Sequence, residues 1–238
     1  MASSTFPALL QRALAARSSW IAGPHETAFR LFNGFYEGEP ALAVDIYGAT
    51  AVLYDYDDSA ERGSARAGEA LGVIHAQLPW LRCALLKMRT GTSLRARRGE
   101  ILVGAQPDRQ VREHGVRYAV DLTMNCDASL YLDTRALRRW ALDHLAGKRV
   151  LNTFAYTGSL GVAALAGGAS HVVQLDVNRR YLELARRSCE LNGLDPRAHE
   201  LLVGDFFPRI AQLKRAGRRF DCVLLDPPFF ASSARGTV

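Results

Sequence analysis

The chain is short of cysteine, of lysine and of long apolar runs, and each shortage closes off a class of protein. Its four cysteines (Cys83, Cys126, Cys189, Cys222) lie far apart in 238 residues, with no CxxC spacing. That argues against a disulfide framework and against any metal site, and it suits a reducing, cytoplasmic setting. No apolar run approaches the roughly 18 residues a membrane-spanning helix needs, so no membrane association is expected. The start also lacks a basic stretch ahead of an apolar one. No internal repeat or low-complexity segment stands out. Only three of the 30 basic residues are lysine (Lys87, Lys148, Lys214), yet the formal charge is +6 and the pI about 9.4. The basicity is therefore arginine, which binds phosphate and stacks on bases, so the balance favours a polyanion such as RNA. Codon composition produces the same excess, and charge alone leaves the two even.

What is present is ordinary globular material: 48% hydrophobic and 23% charged residues, enough for one large or two modest domains. Residues 1–24 read as a helical segment, Pro7 to Arg17, stopped by Gly23-Pro24. Residues 25–110 alternate strand-like runs with one helix, a small α+β module. Ala41–Ile46 and Ala51–Tyr56 flank a turn at Tyr47-Gly48-Ala49. Ser59–Gln77 has helical spacing and Pro79 ends it, while Cys83–Met88 and Ile101–Val103 read as strands. Lys87, Arg89, Arg95, Arg97 and Arg98 form the densest basic cluster, interrupted by Thr90 and Gly91. A loop presenting these cations suits a phosphate backbone, although on charge pattern alone a solvated hairpin is the better reading.

From residue 111 to 238 the pattern changes to strands alternating with helices, which argues a parallel, doubly wound sheet. Its first unit is the most telling: the apolar start Val150-Leu151 runs through Phe154-Ala155-Tyr156-Thr157-Gly158 into an Ala-rich helix. The next strand-like run, His171–Leu175, ends in Asp176, about 20 residues past the glycines, where a carboxylate accepts hydrogen bonds from ribose hydroxyls. The glycines do not spell G-x-G-x-x-G. Leu201–Gly204 ends in Asp205, and Phe220–Leu225 runs into Asp226-Pro227-Pro228-Phe229. An acid after a strand is as often a turn former or helix cap as a ligand. Here three acids and a glycine turn fall in one register at the carboxyl ends of strands, where open α/β sheets bind ligands.

These residues, with Phe29–Gly34, Pro40–Gly48, Glu113-His114-Gly115-Val116, Tyr131–Arg135 and Leu191-Asn192-Gly193, resemble class I S-adenosylmethionine-dependent methyltransferases. The likeness is to the RlmI/RlmK type, which acts on large-subunit ribosomal RNA, and it covers roughly residues 27–238. It implies a Rossmann-like sheet, preceded by the α+β module, which would help to grip RNA. It implies S-adenosylmethionine as cofactor, with Thr157-Gly158 and their neighbours Phe154 and Tyr156 against its methionine part. Asp176, with Val177, would hold the ribose, and Asp205 and Phe206 would flank the adenine. Asp133 and Arg135 match a helix-start motif that closes over the amino-acid end. A guanidinium suits a carboxylate bidentately, although Arg135 beside Arg138 and Arg139 reads equally as a solvated helix residue. Asp226, Pro227, Pro228 and Phe229 would form the catalytic pocket where the target base meets the methyl group.

Two departures from the family stand out. Family members often carry an extra N-terminal RNA-binding domain, whereas about 25 residues precede the matching region here. The sequence also stops soon after the fourth strand, where a class I sheet continues. The expectation is an incomplete sheet with apolar edge and faces uncovered, hence a fragment or a chain completed by a partner. The target atom divides the chemistry. Cytosine C5 needs a thiolate to add to C6 first, and none of the four cysteines matches the family's nucleophile. A guanine or adenine nitrogen needs only alignment and acceptors for its protons, which an Asp-Pro-Pro-Phe segment offers. Other classes remain open at this stage: a non-catalytic cofactor- or RNA-binding module, or a methyltransferase acting on protein or small molecules. Oligomeric state is not legible.

Overall fold

In the computed structural model, which describes residues 5–227 together with 232–233 and 236–237, the chain forms two compact units. The first takes the chain up to Gly115 and again Val120–Leu132; the second takes Val116–Ala119 and the chain from Asp133.

The first unit opens with α1 (Phe6–Ala16) and the short α2 (Ser18–Ile21). Strands β1 (Ala28–Asn33), β2 (Leu42–Tyr47), β3 (Thr50–Asp55), β4 (Cys83–Met88) and β5 (Glu100–Val103) then lie side by side in chain order. Between them come α3 (Gly34–Glu37), α4 (Ala60–Gln77) and α5 (Leu94–Arg98), and β6 (Gln110–Glu113) follows. Neighbouring strands are antiparallel except β3 and β4, which the α4 crossover makes parallel. The β2–β3 hairpin turns through Gly48, whose φ of 62° a residue with a side chain rarely adopts. Ser59 caps α4 by accepting the Arg62 amide, and Ala67, Ala70 and Ile74 recur on its buried face at helical spacing. That face and Leu10 and Leu14 of α1 cover Val44 and Leu53 of the sheet, forming the apolar core.

Alternation along the strands puts Arg30, Asp45, Tyr47 and Lys87 on the other sheet face, beside apolar residues such as Val52 and Leu85. Arg30 donates to both carboxylate oxygens of Asp45, at 2.7 and 3.0 Å. The segment Val120–Leu132 lies over this face. The Tyr47 hydroxyl donates to the Leu130 carbonyl at 2.9 Å, and the Lys87 ammonium donates to the carbonyls of Asn125 and Asp127, at 2.7 and 3.0 Å. Arg89 adds bonds to the Cys126 carbonyl and the Asp127 carboxylate. This corrects the reading of the basic cluster: Lys87 is fully buried within β4 and Arg89 is half-buried and paired. Burial lowers the Lys87 pKa to about 8. Of the five cations, Arg95, Arg97 and Arg98 remain on the surface, on α5 rather than on a loop, and Arg95 pairs with Glu100.

The second unit contains β7 (Val116–Ala119), α6 (Arg135–His144), β8 (Arg149–Thr153), α7 (Ser159–Ala166) and β9 (His171–Asp176). It continues with α8 (Arg179–Leu191), β10 (His199–Val203), α9 (Phe206–Arg215) and β11 (Cys222–Leu225). Four strands form a wholly parallel sheet in the order β10-β9-β8-β11. Helices cover both faces: Leu213 of α9 packs on Leu151 and Val173, while α7 lies over the side carrying Val172 and Gln174. This is the α/β, Rossmann-like arrangement expected. On β11, Val223 and Leu225 stand 54% and 61% exposed. None of the helices among the described residues is long and apolar enough to cross a membrane.

Candidate functional site

The register of the parallel sheet brings the acids and glycines together. Thr153 pairs with Leu175 and with Leu225, and Asp176 pairs with Val203. The turn after β8, Asp176 at the tip of β9, Asp205 after β10 and Asp226 after β11 therefore share the carboxyl edge of one sheet. Asp226 and Pro227 are exposed there. Pro228 and Phe229 lie outside the described residues.

The turn after β8 is tightly curled. Phe154, Tyr156 and Gly158 take φ values of 51°, 52° and 72°, left-handed backbone that costs a residue with a side chain about 1 kcal/mol or more. Asp176 holds this shape: one carboxylate oxygen accepts the Tyr156 amide and the other the Asn178 amide, each at 2.8 Å. The carboxylate thus ties the turn after β8 to the turn after β9. Burial pushes its pKa up, against the pull of the backbone hydrogen bonds from Asn178, Tyr156 and Val177. A carboxylate has about four lone-pair sites, so acceptor capacity remains for a ligand. Val177, next along, is 68% exposed.

Gly158 is needed for space as well as for its φ. A Cβ there would meet the Ala185 Cβ at 2.4 Å and the Gln174 amide oxygen at 2.5 Å. Thr157 beside it is buried. Across the edge, the Phe154 ring stacks on Phe206, with centroids 4.8 Å apart and planes 22° apart, while Tyr156 packs edge-on against Tyr181. Asp205 is exposed and caps α9 by accepting the Phe207 amide at 3.0 Å. Asp133 is exposed and Arg135 half-buried at the start of α6, which packs along α7. The structure therefore brings Phe154, Tyr156, Thr157, Gly158, Asp176, Asp205 and Phe206 to one edge.

A model of the S-adenosylmethionine-dependent methyltransferases matches residues 95–236. The chain belongs to the S-adenosylmethionine-dependent methyltransferase family. The ribosomal RNA large subunit methyltransferase I of Photobacterium profundum is 34% identical over 94% of this chain and 57% of its own length. The ribosomal RNA large subunit methyltransferase K/L of Marinobacter nauticus is also 34% identical, over 95% of this chain and 32% of its own. The chain thus spans little more than half of the first relative and about a third of the second. Among solved structures, SMU.776 complexed with SAH superposes with a TM-score of 0.88 at 26% identity, covering 100% of this chain and 62% of that one.

The edge of this methyltransferase sheet fits the family's cofactor: a close-packed glycine turn, a carboxylate with spare acceptor positions, and an aromatic pair. Among the described residues no group of metal-ligating side chains comes together. Sequence reasoning overlooked the polar residues inside the strands. Asn152 and Gln174 sit within apolar runs and are buried, and Gln174 is hydrogen-bonded to Asn152 and to His199. Their signal was available, since a polar residue in an otherwise apolar strand is the informative exception.

Proposed function

We propose that this chain takes part in transferring a methyl group from S-adenosylmethionine to a base in RNA, ribosomal RNA above all. The observation that carries the reading is the common edge, where Asp176 tethers the left-handed Phe154–Gly158 turn. When bound, the cofactor supplies a methyl group on a sulfonium. Asp176 would accept from the ribose hydroxyls with Val177 alongside, Phe206 and Asp205 would flank the adenine, and the turn at Thr157-Gly158 would meet the amino-acid end with Phe154 and Tyr156. Asp133 and Arg135 would close over that end. The relatives' names support RNA as the substrate.

For the target base, Asp226 and Pro227 would line the pocket, with the carboxylate accepting protons from an amino group or ring nitrogen. Cys222 and Cys189 offer a cytosine C5 route little. Cys222 opens β11 at the end opposite Asp226 with its pKa raised by burial, and burial pushes Cys189 up to about 12. The α+β unit, through Arg95, Arg97 and Arg98 of α5, would add affinity for the phosphate backbone.

The test is calorimetric titration with S-adenosylmethionine, with Asp176→Ala as control, followed by methyl transfer to ribosomal RNA. Binding that Asp176→Ala removes, and transfer that Asp226→Ala removes, are the expected results. Transfer to protein or small molecules but not to RNA would overturn the substrate assignment.

A further inference from the structure

Beneath the turn after β8 lies a chain of buried polar groups that crosses three strands. The Asn152 side-chain amide (β8) donates to the Gln174 Oε1 (β9) at 3.1 Å, and the Gln174 Nε2 lies 2.8 Å from the His199 Nε2 (β10). Asn152 and Gln174 are buried at 2% and 0% exposure. Such groups cost free energy in a sheet interior unless fully bonded, so their place there calls for a physical reason.

The glycines supply one. A Cβ on Gly158 would come within 2.5 Å of the Gln174 Oε1, and one on Gly161 within 2.6 Å of its Cδ. The planar amide of Gln174 therefore lies directly under both the turn and the first part of α7. Its two bonds fix the direction of the chain. Asn152 donates to the oxygen, so the Gln174 nitrogen faces His199 as a donor, and the His199 Nε2 must accept. That requires the neutral ring with its proton on Nδ1. Burial favours this form, lowering the His199 pKa to about 4 with help from His171.

We propose that Gln174 is a positioning residue: held in plane by Asn152 and His199, it sets the height of the Thr157-Gly158 turn that receives the amino-acid end of the cofactor. This rests on the placement of the cofactor given above. A merely structural Gln174 would weaken every ligand of the sheet edge alike. A residue that positions this turn affects only ligands that reach it.

The experiment compares S-adenosylmethionine with 5′-methylthioadenosine, which keeps the nucleoside half and lacks the amino-acid end. In Gln174→Leu the affinity for S-adenosylmethionine should fall roughly tenfold, and that for 5′-methylthioadenosine should stay within about twofold. Equal losses for both ligands, or no loss for either, overturn the inference. Long-range proton–nitrogen spectra should show His199 protonated on Nδ1 alone in the natural protein, with Nε2 accepting from the Gln174 amide. If Gln174→Leu does not fold, this second readout carries the test, and a proton on the His199 Nε2 of the natural protein sinks the proposal. Failure of the natural protein to bind either ligand is a different result: it removes the cofactor placement, and the inference with it.

Discussion

Asp176 does two jobs, and they separate by measurement. Its carboxylate anchors two backbone amides and, on the proposed reading, accepts from the ribose. Charge-assisted hydrogen bonds contribute about 1.5–3 kcal/mol each, so Asp176→Ala should weaken S-adenosylmethionine by about tenfold to a hundredfold or more in calorimetry. Asp176→Asn keeps the shape and should lose less. His199 gives a prediction in pH. Its folded pKa is about 4 against 6.5 unperturbed, so between these values the unfolded chain binds the extra proton. The stability that depends on a neutral His199 is complete above about pH 6.5 and drains away towards pH 4. Denaturant midpoints at pH 7, 5.5 and 4.5 should fall accordingly, and His199→Gln should flatten that fall. The acids of this edge were legible because strand-end position alone fixes their place. Gln174 and His199 were not, because their meaning depends on neighbours 22 to 25 positions away.

At the scale of elements, the turn after β8 and the Val120–Leu132 segment are each fixed by one feature. Gly158→Ala combines an unfavourable left-handed φ with a Cβ 2.4 Å from Ala185. It should cost at least about 2 kcal/mol, from the φ and the overlap together, seen as a lower denaturant midpoint. For the segment, Lys87→Met would leave the carbonyls of Asn125 and Asp127 without their donor. About 1–3 kcal/mol for each orphaned group predicts a loss of about 2–6 kcal/mol, with Lys87→Arg unable to restore the geometry. Amide exchange in residues 121–130 should rise in both variants. Most helices and strands were readable from periodicity, α4 and β8 to β11 within a residue or two. α5 was not, because five residues with three arginines among them carry no usable period. Lys87 misled for a related reason: composition marks it as a surface cation, and only the carbonyls of a distant segment make its burial tolerable.

For the whole molecule, the +6 charge predicts salt-dependent RNA affinity. Replacing Arg97 and Arg98 by Ala should weaken RNA binding uniformly across sequences. It should lower the slope of log affinity against log salt by about one to two, leaving S-adenosylmethionine affinity unchanged. An unchanged slope would place the RNA surface elsewhere. By itself the sequence determined the alternation of strands and helices, the order in which the acids follow the strands, and the family, because these are local patterns and spacings along the chain. Only the tertiary structure decided which cations are free, that the Asp176 carboxylate ties two turns together, and that a glutamine lies under the glycines. Those facts depend on which strands become neighbours and in what register. Contacts between residues remote in sequence settle that, and no local pattern encodes it.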